Sequence, residues 1–237
     1  MPVITVSGSL GSGARDLAHE VAEAMRLDYV DQEILVEAAR QLGVSVAAIE
    51  RHDERPSSLA ERLGGLMRTL MERSAAAGGG DPLGGGEGLQ NVLARTYGEA
   101  AELPSEGDSG DLDDDRYLRT LTSVIKGVAA RGNVVILGRG SQAILQHEPE
   151  SLHVYVYAPK QARIDALVAR DGMTPDEAER RIKESDQNRS AFHQRYFKVD
   201  ADRPALYDLT INSSRIQLDL AVKLVELAVR DRTPRPG

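Results

Sequence analysis

Cysteine is absent from all 237 residues. That removes disulfides, thiolate metal ligands and thiol nucleophiles, and it fits a reducing compartment. Long apolar runs are missing too: none approaches the ~18 residues that a membrane helix needs. Met1 to Val6 reads as the start of a strand, without a basic leader or a cleavage site. The expected location is the cytoplasm, with no membrane partner. Positive charge is the minority sign, 29 Lys and Arg against 37 Asp and Glu, for a formal net charge of −8. Such a chain is a poor general partner for nucleic acid or an anionic surface. The five histidines, His19, His52, His147, His153 and His193, form no metal-ligand spacing.

What is present is a chain that is 41% hydrophobic. Its length suits a single domain over 1–237 that carries an excursion. Val3 to Val6 is short, β-branched and ended by glycines, the pattern of a buried strand. Helical spacing follows over 16–25, then a short strand at 27–30 and a helix over 31–42. Asp31 is the predicted N-cap of that helix and Gly43 its stop. Leu59–Met71 is a further amphipathic stretch.

Residues 74–88 are Gly-rich and 104–115 strongly acidic. Both are expected to be mobile. A solvated loop is the simpler reading of the acidic run, and a metal or partner site the alternative. Leu89–Ala101 between them reads as a docked helix. Regular pattern resumes at Tyr117 with a helix ending near Gly132, then apolar strands at 134–137 and 152–157. A helix follows over 161–170. Thr174, Pro175 and Glu177 form a capping box that opens the next one. A strand at 209–211 and a helix over 218–229 complete the chain. Alternating strands and helices predict an α/β fold, a mainly parallel sheet with helices on both faces.

The first strand runs into Gly8-Ser9-Leu10-Gly11-Ser12-Gly13-Ala14-Arg15-Asp16, and a helix follows. Glycines at 8, 11 and 13 let successive backbone N–H groups point inward, and a helix N-terminus adds positive potential. This is a phosphate-binding loop, or else a structural Gly-rich turn. The pattern G-x-x-x-x-G-K-[ST] expects Lys where Ala14 stands. Arg15 supplies the charge if its side chain turns back. Asp16 stands where a magnesium-binding hydroxyl is expected, or stabilises the first helical turn.

A dinucleotide-binding fold competes, because Asp31 lies 18 residues after Gly13, close to the ~20 expected of a ribose-binding acid. No Tyr-x-x-x-Lys occurs to support it. Gly138-Arg139-Gly140 follows the strand 134–137, placing Arg139 where open α/β sheets bind ligands. The helix from Pro175 carries Arg180, Arg181, Lys183, Arg189 and Arg195 among acids. Arg181 and Arg189 point within about 80° of each other, and Asp186 can pair with Arg189 at i,i+3. This is a clamp over polyphosphate, or a salt-bridged surface helix.

Together these stretches resemble the cytidylate kinase-like family of nucleoside monophosphate kinases. The resemblance rests on Ile4 to Ser7 with Gly11-Ser12-Gly13 and Arg15, and on Tyr29-Val30-Asp31 with Glu33-Ile34. It continues through Val135 to Gly140, Ala158-Pro159 with Arg163-Ile164, and Asp186 to Arg189. It ends on Tyr207-Asp208 with Ile211-Asn212. It implies a P-loop kinase fold with a five-stranded parallel sheet. It also implies an acceptor-binding excursion over 50–115 and a helical lid over 172–200.

The implied reaction is ATP-dependent phosphoryl transfer to a nucleoside monophosphate, CMP or dCMP foremost, with Mg2+ carried by the nucleotide. Gly8, Gly11, Ser12, Gly13, Ala14, Arg15 and Asp16 would hold ATP phosphates. Asp31 and Arg139 would face the acceptor. Asp186 and Arg189 would lie in the lid, Arg189 with Arg181 or Arg195 closing over the transferring group. Cytidylate kinases proper carry a loop Lys, an acid before the Gly-Arg pair and an Asp after it. Here those positions are Ala14, Leu137 and Gly140, changes common in the cytidylate kinase-like branch. Their Tyr-Arg pair after the second strand is Val36-Glu37 here. A nucleotide-binding or regulatory protein with an eroded catalytic loop is the alternative to a kinase.

Overall fold

The computed structural model describes residues 1–46, 48–49 and 114–232. The readings made for 50–113, including the amphipathic stretch Leu59–Met71, the docked helix at Leu89–Ala101, the Gly-rich stretch and most of the acidic run, lie outside the described residues. Five strands form one parallel sheet: β1 (Val3–Gly8), β2 (Asp28–Val30), β3 (Val134–Leu137), β4 (Ser151–Tyr157) and β5 (Leu209–Asn212). Their order is β2-β3-β1-β4-β5. A dinucleotide fold would be ordered 3-2-1-4-5-6, so that competing reading fails on topology.

Helices connect the strands. They are α1 (Ala14–Met25), α2 (Glu33–Leu42), α3 (Asp114–Arg131), α4 (Ser141–Ile144), α5 (Lys160–Asp171), α6 (Pro175–Phe197) and α7 (Leu218–Asp231), with a 3-10 turn at Pro204–Leu206. Side chains alternate across the sheet with period two. Ile4, Val6, Val135, Leu152 and Val154 therefore pack under α1 and α7. Val3, Val134 and Ile136 pack under α2 and α3. A third, smaller cluster joins α5 to α6 through Ile164, Leu167, Ala178 and Ile182.

The capping box of α6 forms as its sequence requires. The Thr174 hydroxyl accepts from the Glu177 N–H, and the Glu177 carboxylate accepts from the Thr174 N–H. Two boundaries differ from expectation. Helix α2 starts at Glu33, not Asp31, because the Asp31 side chain is engaged by Arg15 and its N–H donates to the Glu33 carboxylate. The acidic run ends in order rather than in a loop: Asp114 and Asp115 form the first turn of α3. Two carboxylates there are favoured by the positive end of the helix dipole.

Every strand points the same way, so all five carboxyl ends lie along one edge. The chain crosses from β3 to β4 over β1. The crevice at that crossing is where such sheets hold ligands.

Candidate functional site

The loop after β1 turns tightly, with the Ser12 N–H closing on the Ser9 carbonyl at 3.0 Å, before it enters α1. Gly11 and Gly13 take left-handed backbone angles (φ 80° and 77°), which L side chains rarely adopt. Space is equally restrictive. A Cβ on Gly8 would sit 2.5 Å from the Ala14 Cβ and 2.7 Å from the Val156 carbonyl, and one on Gly11 would sit 2.8 Å from the Arg163 carbonyl. Gly13 directly precedes α1 and is its N-cap, so the loop hands its last N–H groups to a helix N-terminus. The Ser12 hydroxyl is buried and has no hydrogen-bond partner among the described residues. An orphaned donor beside a helix N-terminus, in a loop with no room for side chains, fits a phosphate group.

Ala14 is buried beside Gly8 and brings no charge. Arg15 does not turn back over the loop. Its Nη2 donates to Asp31 at 2.7 Å, which ties α1 to the end of β2 and leaves Arg15 43% exposed. Asp31 itself is largely enclosed. Asp16 is exposed, its carboxylate 3.9 Å from where a Cβ on Gly13 would lie.

Arg139 lies at the carboxyl end of β3, next to β1, and is 3% exposed. Gly138, Arg139 and Gly140 all have positive φ (68°, 59° and 67°). Left-handed backbone at a non-glycine residue costs about 1–2 kcal/mol, and such strain gathers where a side chain must be aimed. Gly140 is required by its neighbour: a Cβ there would be 2.4 Å from the Phe197 ring.

Helix α6 comes down onto the same edge and divides its basic residues among different partners. The expected Asp186–Arg189 pair is not formed. Asp186 instead accepts two hydrogen bonds from Arg163, at 2.8 and 2.7 Å. The Arg163 Nη1 also reaches the Leu10 carbonyl in the phosphate loop at 3.4 Å. Arg189 donates to Asp202, to the Tyr155 hydroxyl at 3.2 Å and to the Ala201 carbonyl at 3.4 Å, with its guanidinium 5.4 Å from the Tyr155 ring centre.

Tyr155 donates to Asp202 at 2.7 Å, and its oxygen is 3.4 Å from the Ser9 Oγ in the loop. Tyr207 stacks on Tyr155 at 4.8 Å. Burial pushes the Tyr155 and Tyr207 hydroxyls above the usual phenol range. Burial opposes the charge on Arg189, yet the nearby Tyr155 and Asp202 hold its pKa above the ordinary value. Arg195 does not face the crevice. It makes a two-pronged pair with Asp114 at 2.8 Å. Arg181 is half-buried and has no hydrogen-bond or ion-pair partner among the described residues.

One further connection links the β3 turn to α6. The His193 Nδ1 donates to the Arg189 carbonyl at 2.8 Å, which leaves its Nε2 to accept from the Gln142 Nε2 at 2.7 Å. Gln142 belongs to α4, three residues after Arg139. The segments bearing Arg139 and Arg189 are thus joined by a buried polar bridge.

The profile of the Cytidylate kinase-like family matches residues 3–215 of this chain. The chain belongs to that family. Archaeal relatives called cytidylate kinase are similar at low identity. One from Haloarcula marismortui is 24% identical over 90% of this chain and 81% of its own length. One from Pyrobaculum calidifontis is 23% identical over 94% and 90%. A solved structure of an uncharacterized protein from Eubacterium ventriosum superposes with a TM-score of 0.62 at 15% identity, covering 98% of this chain and all of that one. It shares the fold.

Within this cytidylate kinase-like chain, the sequence reading put the loop glycines and Ser12 after the first strand, Arg139 at the carboxyl end of a strand and Arg189 in the lid; in the structure Arg189 reaches the loop through Tyr155 and Ser9. Asp31 is reached through Arg15. Arg163, Tyr155, Asp202 and Tyr207 were not anticipated as site residues. Arg163 carried a signal, because it stands within the Ala158-Pro159…Arg163-Ile164 stretch of the resemblance. Tyr155 reads in sequence as one more apolar position of a strand.

Proposed function

We propose that this protein is a nucleoside monophosphate kinase that transfers a phosphoryl group from ATP to CMP or dCMP. The observation that carries the reading is the convergence of three elements on one crevice. They are the glycine loop after β1, the strained Arg139 turn after the neighbouring β3, and α6, whose Arg189 reaches the loop through Tyr155 and Ser9.

Phosphoryl transfer asks little covalent chemistry of a protein; it needs alignment and neutralised charge. ATP supplies the transferred group, and Mg2+ travelling with it neutralises charge on its phosphates. The residues of the chain do the rest. Backbone N–H groups of Gly11, Gly13 and Ala14 and the Ser12 hydroxyl hold donor phosphates, while the Ser12 N–H closes the loop on the Ser9 carbonyl. Arg163 holds the loop from behind through the Leu10 carbonyl. Arg139 binds the acceptor phosphate. Arg189, with Arg181 beside it on α6, neutralises charge on the group in flight and excludes water. Arg15 orders Asp31 on the acceptor side. Residues 172–200 act as the lid.

A second reading is favoured by one observation: Ala14 replaces the loop lysine and Arg15 is committed to Asp31. On that reading the protein binds nucleotide without turning it over. ADP release from Mg-ATP, measured against a panel of nucleoside monophosphates with CMP, dCMP and UMP foremost, decides between them. ADP that depends on the acceptor supports the kinase. A flat panel, with thermal stability still raised by ATP through mass action, supports the binding protein.

A further inference from the structure

Away from the crevice, α7 carries an exposed apolar row. Leu220 and Leu227 are 48% and 45% exposed, two of the five large hydrophobic side chains exposed among the described residues, and Leu224 between them is half-buried. Leu220, Leu224 and Leu227 follow i, i+4, i+7 spacing and so form one row. The core-facing side is instead Ala221 and Val225. Beside the leucines runs a second row, Asp219, Lys223, Glu226 and Arg230, again at helical spacing.

The charges in that second row are arranged as their own complement. When the helix is turned end for end about the point between Leu224 and Val225, Asp219 falls level with Arg230 and Lys223 level with Glu226. We infer that this face is a dimer interface, on which α7 packs antiparallel against α7 of a second copy of the chain, across a two-fold axis passing between Leu224 and Val225.

A two-fold axis brings the same flank of both helices together. Each charge pair therefore forms twice, giving four across the interface, and the leucines of the two rows interleave along the seam. An unrelated partner would need no such symmetry in this chain.

The 14 residues of α7 extend about 21 Å at 1.5 Å per residue. One such helix pair lies at the small end of specific interfaces, which sets a weak association of roughly micromolar Kd. Sedimentation equilibrium of the full chain tests it. The wild type is expected to pass from monomer to dimer over the micromolar range. Leu227→Glu should remain monomeric, with an unchanged circular dichroism spectrum because the residue is exposed. Lys223→Glu places like charges against Glu226 in both halves of the interface and should weaken the dimer about tenfold or more. Adding Glu226→Lys restores both pairs and should recover the wild-type Kd.

Because the chain has no cysteine, Leu224→Cys gives a second reading next to the axis. Oxidation should link two copies, while the exposed control His147→Cys should not link. A wild type that is monomeric throughout would overturn the inference, as would a dimer indifferent to Leu227→Glu and to Lys223→Glu. A monomer whose Leu224→Cys thiol is shielded from a maleimide would show that residues 50–113 cover the row, and would overturn it equally.

Discussion

Arg163 and Asp186 are joined by two parallel hydrogen bonds that lock α5 to α6, and the same arginine touches the phosphate loop at Leu10. The arginine side chain is 9% exposed and the carboxylate 39%. A planar fork meeting a carboxylate is a strong and directional pair. Helix α6 is therefore registered to the loop by one side chain.

Arg163→Lys keeps the charge and loses the fork, so it is not a conservative change. It should lower unfolding free energy by about 1–2 kcal/mol in urea titration. A double-mutant cycle with Asp186→Asn should show coupling of about 0.5 kcal/mol or more. Strict additivity would mean that the pair does not register the helix.

The loop tolerates no side chain at Gly11. Gly11→Ala faces both a left-handed backbone angle and the Arg163 carbonyl. It should cost about 1–3 kcal/mol of stability and abolish the rise in melting temperature on adding ATP. A variant that still responds to ATP would place the nucleotide elsewhere.

Arg189→Ala should reduce acceptor-dependent ADP formation by about 100-fold or more, the scale seen when one charge-stabilising donor is removed. The far-ultraviolet circular dichroism should be kept. Turnover within a factor of a few of wild type would remove Arg189 from the transfer step.

Asp202 gives a pH dependence. Partial burial disfavours its charge, but hydrogen bonds from Tyr155 and Arg189, with the guanidinium charge, outweigh that and hold its pKa below the usual carboxylate range. A carboxylate whose folded pKa lies below its unfolded value of about 3.9 stabilises the fold above that pH. The contribution fades as pH falls through the folded pKa. The gap in melting temperature between wild type and Asp202→Asn should therefore be full near neutrality and close as pH falls below the ordinary carboxylate range. A gap constant across that range would show that the carboxylate's charge plays no part.

The fold was legible where local chemistry decides it. Val134–Leu137 is apolar at every position because both faces of a parallel strand are covered, and Thr174 caps α6 with groups three residues away. The glycine loop was legible because only glycine meets its backbone angles. The connections of α6 were not. Arg163 and Asp186 lie 23 residues apart in different helices, and neither position suggests the other. Asp186 and Arg189 look paired at i,i+3, yet better partners arrive from Arg163 and from Asp202. Arg15 sits beside the loop in sequence, but its stem carries the charge across to Asp31. Tyr155 reads as one more position of a buried strand, and only the sheet reveals that it lies under Arg189 and stacks on Tyr207.

The Gly138 N–H donates to the Val6 carbonyl at 2.9 Å, which joins the residue just before Arg139 to one two residues before Gly8 of the glycine loop. The glycine loop and the Arg139 turn are thus set apart by the ladder spacing of adjacent strands, about 4.8 Å, and not by any loop. That ruler is shared by every chain with this strand order. Slipping β1 against β3 by one residue would turn each strand's core side chains to the wrong face. A different acceptor can therefore be accommodated only by changing what projects from the two turns or what closes over them, while the gap between them stays constant.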